Sequence, residues 1–136
     1  MRLTSLVAAS EAAEAFSHGK FSKVLALDNV YHYPSKDVFF ADAFRLLAGG
    51  GRLAVTDILS RTEENPPFWI PWMLHFSAIP PPNLWSEAQY ERSLKAAGFV
   101  DVKLERVGDR VLPRWLPLFV RRHIDYAVVS CRKPRG

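Results

Sequence analysis

Apolar residues return at helical intervals in two stretches of this sequence. In PSKDVFFADAFRLLA, Phe40, Ala43, Phe44 and Leu47 share one helix face, Ser35 is placed to cap the first turn and Asp37 lies within that turn. In SEAQYERSLKAAGF, Tyr90, Leu94 and Ala97 line one face, Ser86 and Gln89 form a capping box, and Gly98 closes the end. Shorter apolar runs mark strands. Those beginning at Val24 and Arg52 read as buried, and IDYAVVSCR reads as central. VDVKLERV sets Val100, Val102 and Leu104 against Asp101, Lys103 and Glu105, the pattern of a strand with one wet face at a sheet edge. The expected strands are Lys23 to Leu27, Arg52 to Asp57, Val100 to Arg106 and Asp125 to Cys131.

Gly49, Gly50 and Gly51 fall between the first helix and the second strand. A loop that cradles a phosphate runs strand, glycines, helix, so that free amides at the helix start face the anion. Here the order is reversed: the glycines end a helix, one supplying the left-handed residue after it, and lead into a strand. Two other segments resist regular structure. Glu64 to Trp85 carries six of the ten prolines and three of the four tryptophans, which predicts no long element. RVLPRWLPLFVRRH spaces Leu112, Trp115, Leu116 and Phe119 helically, but Pro113 and Pro117 interrupt it, giving a short broken helix or a loop. The first 20 residues read as a surface helix or an irregular segment.

Composition narrows the picture. At 136 residues and 49% hydrophobic content, the chain supports one core and one domain. Cys131 is the single cysteine, which excludes an internal disulfide or a cysteine-based metal site; the apolar run around it predicts a buried, inert thiol. His18, His32, His75 and His123 are too scattered to suggest metal ligands, and no metal is expected. The start faintly resembles a secretory signal, but its apolar core, Leu6 to Ala9, is short and Glu11 and Glu14 follow at once. A cytoplasmic protein without a membrane span is therefore expected. The first 68 residues hold 7 basic and 8 acidic residues and the remainder 11 and 6. The basic end is a solvated face or meets an anionic surface, and no nucleic-acid motif accompanies it.

The order strand, helix, strand, Pro-aromatic insert, helix, strand, broken helix, strand predicts an α/β fold with a largely parallel sheet. With FSKVLALDNVYHY, FFADAFRLLAGGGRLAVTDIL, YERSLKAAGFVDVKLERV and DYAVVSCRKP in that order, the chain resembles the C-terminal half of a class I S-adenosylmethionine-dependent methyltransferase from about Phe21 to Pro134. The resemblance implies a partial Rossmann-like methyltransferase fold, a mostly parallel sheet with an antiparallel last strand between its fifth and sixth. It divides the chain into residues 1–20 and a methyltransferase-like half at 21–136, with 64–85 as an insert. The departure is as informative. The family's cofactor site begins with a first strand ending in a G-x-G loop, and none of the seven glycines here follows a strand in such an arrangement that opens a helix. The residues ahead of Phe21 leave no room for three strands and two helices. The expectation is an incomplete form that binds S-adenosylmethionine weakly or not at all, the absent half coming either from a partner chain or from an upstream segment of which this sequence is a truncated gene model. Leu3 to Val7 are then available to cover the edge left by the family's first strand.

Open α/β sheets bind ligands beyond the carboxyl ends of their strands. The resemblance places Asp28, Asn29, Tyr31 and His32 there, with Thr56 and Asp57 at the end of the next strand. Asp28 and Asn29 are candidate cofactor contacts, and Asp28 is alternatively a turn cap. His32 is a candidate base for an acceptor proton, or a histidine at a helix start bonded to backbone. Tyr31, Asp57, Trp69 and Trp72 are candidate contacts to a small-molecule methyl acceptor. Trp69, Trp72, Phe76 and Trp85 either line an apolar pocket or plug the sheet's flank. Two rival readings are a noncatalytic interaction module and a basic binder of nucleic acid or anionic membrane.

Overall fold

The computed structural model describes residues 3–5, 19–27, 35–62, 67–76 and 83–136. Its sheet runs β1-β2-β3-β6-β5, built from Leu3–Ser5 (β1), Phe21–Ala26 (β2), Leu47–Ser60 (β3), Ile124–Arg132 (β6) and Val100–Arg106 (β5). A two-residue strand, β4 (Trp85–Ser86), pairs with β3 off this path. β1, β2, β3 and β4 are mutually parallel where they pair, whereas β6 is antiparallel to both β3 and β5. The expected architecture, with the antiparallel last strand inserted between two earlier ones, is the one found.

Alternation along β3 decides which face receives the main core. Leu53, Val55, Asp57 and Leu59 are buried and their neighbours only partly so. On the buried face lie α1 (Lys36–Leu46) and α3 (Glu87–Ala97), packed against each other. Phe39, Phe40, Leu46, Leu94, Phe99, Val129 and Cys131 fill the space between them and the sheet. The opposite face is covered near one end by α2 (Trp69–Phe76), whose Ile70 and Leu74 bury against Ile58 and Leu84.

Local signals act where they stand in the chain. Ser35 Oγ accepts from the Val38 amide and Ser86 Oγ from the Gln89 amide, which caps α1 and α3. Gly98 ends α3 with a φ of 106°, and the Phe99 amide returns to the Leu94 carbonyl. The three glycines do connect helix to strand, but the turn differs in detail from the expectation. Leu47, already extended, caps α1, and the left-handed residue is Gly50, inside the opening of β3. β3 is therefore longer than Arg52 to Asp57: Gly50 donates to the Lys133 carbonyl, and the Lys133 amide to the Gly51 carbonyl.

One further segment differs from its sequence reading and two agree with it, the Pro-aromatic insert forming no long element among the described residues and the segment with Pro113 and Pro117 a short broken helix. Leu3–Ser5 is a strand rather than a helical or irregular stretch, because the edge of β2 offers its backbone a parallel partner. Within the Pro-aromatic insert, α2 accommodates Pro71 in its first turn, where no helical hydrogen bond is lost. The segment with Pro113 and Pro117 resolves into two single-turn helices, α4 (Gly108–Val111) and α5 (Leu118–Arg121), the second starting directly after Pro117. Among the described residues no helix is long and apolar enough to cross a membrane.

Candidate functional site

β2, β3 and β4 point their carboxyl ends to one edge of the sheet. Near that edge Asp57 is completely buried, and its Oδ2 accepts from both the Lys36 ammonium and the Tyr90 hydroxyl. Lys36, the first residue of α1, is equally buried; its Nζ lies 3.4 Å from the Tyr90 oxygen, 5.0 Å from the Trp85 ring centre and 4.9 Å from that of Tyr90. Burial pushes the Asp57 carboxyl up and the Lys36 ammonium down, against the opposing pull of each on the other. The Tyr90 phenol is pushed well above its usual value by burial, by the Asp57 charge and by their hydrogen bond. This group ties the starts of α1 and α3 to the end of β3.

A second polar group fastens the start of β6. Asp125 Oδ1 accepts from the Gly108 amide at 3.0 Å and the Tyr126 amide at 2.8 Å, while Oδ2 lies 3.4 Å from Arg61 and 3.8 Å from Arg106. Arg106 continues to Glu87 at 3.1 Å. Beyond these networks, α2 carries an open groove of about 470 Å³ lined by Pro71, Trp72, His75 and Phe76. Among the described residues its walls are aromatic and carry one imidazole, a combination suited to an apolar ligand with a polar substituent.

The candidates named from sequence divide accordingly. Asp28, Asn29, Tyr31 and His32 lie outside the described residues. Thr56 accepts from the Tyr126 hydroxyl at 3.2 Å. Asp57 is fully buried, and Lys36 and Tyr90 both bond its Oδ2. Trp85 is core, tilted against the Phe40 ring and edge-on to that of Tyr90. Trp69 turns from the groove to meet Phe119 and His123, at 5.2 Å and 5.7 Å between ring centres. Trp72 and Phe76 do line the groove. Lys36, Tyr90 and His75 were not marked by the sequence. Among the described residues no group of histidine, cysteine or acidic side chains is arranged to hold a metal ion.

No protein-family model matches the sequence. Over 117 residues the chain is 32% identical to erythromycin 3''-O-methyltransferase of Saccharopolyspora erythraea, a match that covers 81% of this chain and 38% of that enzyme. Haemonchus contortus phosphoethanolamine N-methyltransferase 2, solved with S-adenosyl-L-methionine, superposes with a TM-score of 0.74 at 16% identity, over 88% of this chain and 35% of that one. Geranyl diphosphate C-methyltransferase from Streptomyces coelicolor gives 0.69 at 12% identity, over 87% and 48%. The two structural likenesses establish the fold, and the chain spans well under half the length of the erythromycin enzyme.

Proposed function

Because this chain belongs to the class I S-adenosylmethionine-dependent methyltransferases, matching part of their length, we propose that it forms the acceptor side of methyl transfer to a small molecule. The groove on α2 carries the reading: Trp72 and Phe76 offer flat apolar walls, and α2 packs through Ile70 and Leu74 on Ile58 near the carboxyl end of β3, the end at which open α/β folds bind ligands. They hold the apolar body of the acceptor and exclude water from it. His75 is placed to orient an acceptor hydroxyl or receive its proton. Tyr31 and His32 are proposed to meet the acceptor, and Asp28 and Asn29 the cofactor, by their position after β2 in the chain.

Bound S-adenosylmethionine supplies a sulfonium methyl group open to in-line attack. The described residues do not fit its adenosine, however. The glycines with positive φ are Gly19 ahead of β2, Gly50 within β3, Gly98 after α3 and Gly136, so none turns from the carboxyl end of a parallel strand into a helix. In this reading the cradle is supplied by a partner chain, and the protein works in the cytoplasm. These 136 residues alone are then expected to show no micromolar affinity for S-adenosylmethionine in calorimetric titration. A glycine loop and a ribose-binding acid together contribute several kcal/mol, at about tenfold in affinity per 1.4 kcal/mol. Micromolar binding abolished by Asp28→Ala would overturn the assignment to the acceptor side.

A further inference from the structure

Between β5 and β6 the chain exposes Val111, Trp115, Leu118 and Phe119, with Trp115 79% and Leu118 65% accessible. Such a concentration of large apolar surface in one short segment marks a contact site. The segment is held in shape. Arg121 donates to the carbonyls of Leu116 at 3.2 Å and Pro113 at 2.5 Å, and Phe119 packs edge-on against Trp69 of α2.

Charge identifies the partner. Residues 107–123 contain four arginines and one acid, Asp109. Arg121 is taken by backbone carbonyls and Arg110 by Glu105 at 2.7 Å, whereas Arg114 and Arg122 have no carboxylate partner among the described residues. Arg122 lies one helical turn from Leu118, so cation and apolar side chain share a face. A second copy seated on a twofold axis would set arginine against arginine. Nucleic acid would use the arginines and an aromatic ring but leave Leu118 and Val111 without a function. An anionic bilayer uses both: aromatic and aliphatic side chains enter the boundary between headgroups and acyl chains while arginines meet the headgroup anions.

We propose that the segment from Val111 to Arg122 is an interfacial anchor for an anionic lipid surface, seating Trp115, Leu118 and Phe119 in the headgroup layer with Arg114 and Arg122 on the lipid anions. Through the Trp69–Phe119 contact, α2 and its groove are then held beside that surface. Sedimentation of the full chain with phosphatidylcholine vesicles, with and without phosphatidylserine, tests this. Binding only to the phosphatidylserine vesicles is expected, with a blue shift of tryptophan emission. Replacing Arg114 and Arg122 by Gln should lower the partition coefficient about thirtyfold. Trp115→Ser with Leu118→Ser should also release the chain while leaving its thermal midpoint unchanged. Absence of binding at low salt, or undiminished binding by the Trp115/Leu118 variant, would refute the anchor. Capture of a single-stranded oligonucleotide in preference to vesicles, or a dimer dispersed by the same substitutions, would equally refute it.

Discussion

A carboxylate, an ammonium and a phenol enclosed together cost more to bury than they return unless each finds its partner. The alkaline limb of stability should report Tyr90. Its pKa lies well above the usual 10.0 because of burial, then the Asp57 charge and hydrogen bond. The unfolded chain loses this proton near pH 10 while the folded chain keeps it, so the stability it contributes is complete below that pH and is lost as pH rises toward the folded value. The slope is about 1.4 kcal/mol per pH unit. Lys36 is shifted downward, so its contribution grows up to the usual lysine value of 10.5 and is constant above it. In denaturant titrations stepped above that point, Tyr90→Phe should therefore decline less steeply than the parent. Parallel slopes would contradict the placement of the phenol. Of this group the sequence marks Asp57 alone, through the place that the resemblance gives it at the end of a strand. Tyr90 falls in the apolar stripe of α3 and reads as ordinary core, and a lysine at the start of a helix reads as solvated; only the tertiary approach of α1, α3 and β3 reveals the cluster.

Elements are most readable where their signals are local. Ser35, Ser86 and Gly98 each act on backbone within a few residues, and all three occupy the ends of the helices they announce. Gly98 is required twice over: its φ is 106°, and a Cβ there would lie 2.8 Å from the Phe44 ring. Gly98→Ala should lower stability by about 1–3 kcal/mol, from left-handed strain and overpacking, as measured by urea unfolding. A change within a few tenths would contradict the packing of α3 on Phe44. Features that depend on distant partners are less readable. The extra length of β3 exists because β6 and Lys133 pair with it, and β4 is two residues that acquire meaning only beside Leu59 and Ser60. The division of the tryptophans among groove, second cluster and core has the same cause, since each ring's environment is assembled from remote chain.

At the scale of the whole molecule, the succession of elements predicts the largely parallel sheet, the family resemblance supplies the antiparallel last strand and its place, and both edges are anticipated, one by the alternation of VDVKLERV and the other by Leu3 to Val7. The β5 edge exposes Asp101, Lys103 and Glu105, charges that discourage pairing with another chain. The other side of β2 is covered by β1, with Leu3 opposite Lys23 and Ser5 opposite Leu25. Removing residues 1–5 should uncover β2 and produce concentration-dependent association in light scattering; a strictly monomeric product would show that β1 protects nothing. The position of β6 has a further consequence, for synthesis. β3 and β5 each pair with it and not with each other, yet β6 is made after both, and Lys133 beyond it holds the Phe44 and Leu47 carbonyls at the end of α1. A growing chain cannot close this sheet from the amino terminus onward. Until residues 124–133 leave the ribosome, two strand edges stand open, and the nascent protein must be kept from other chains during that interval.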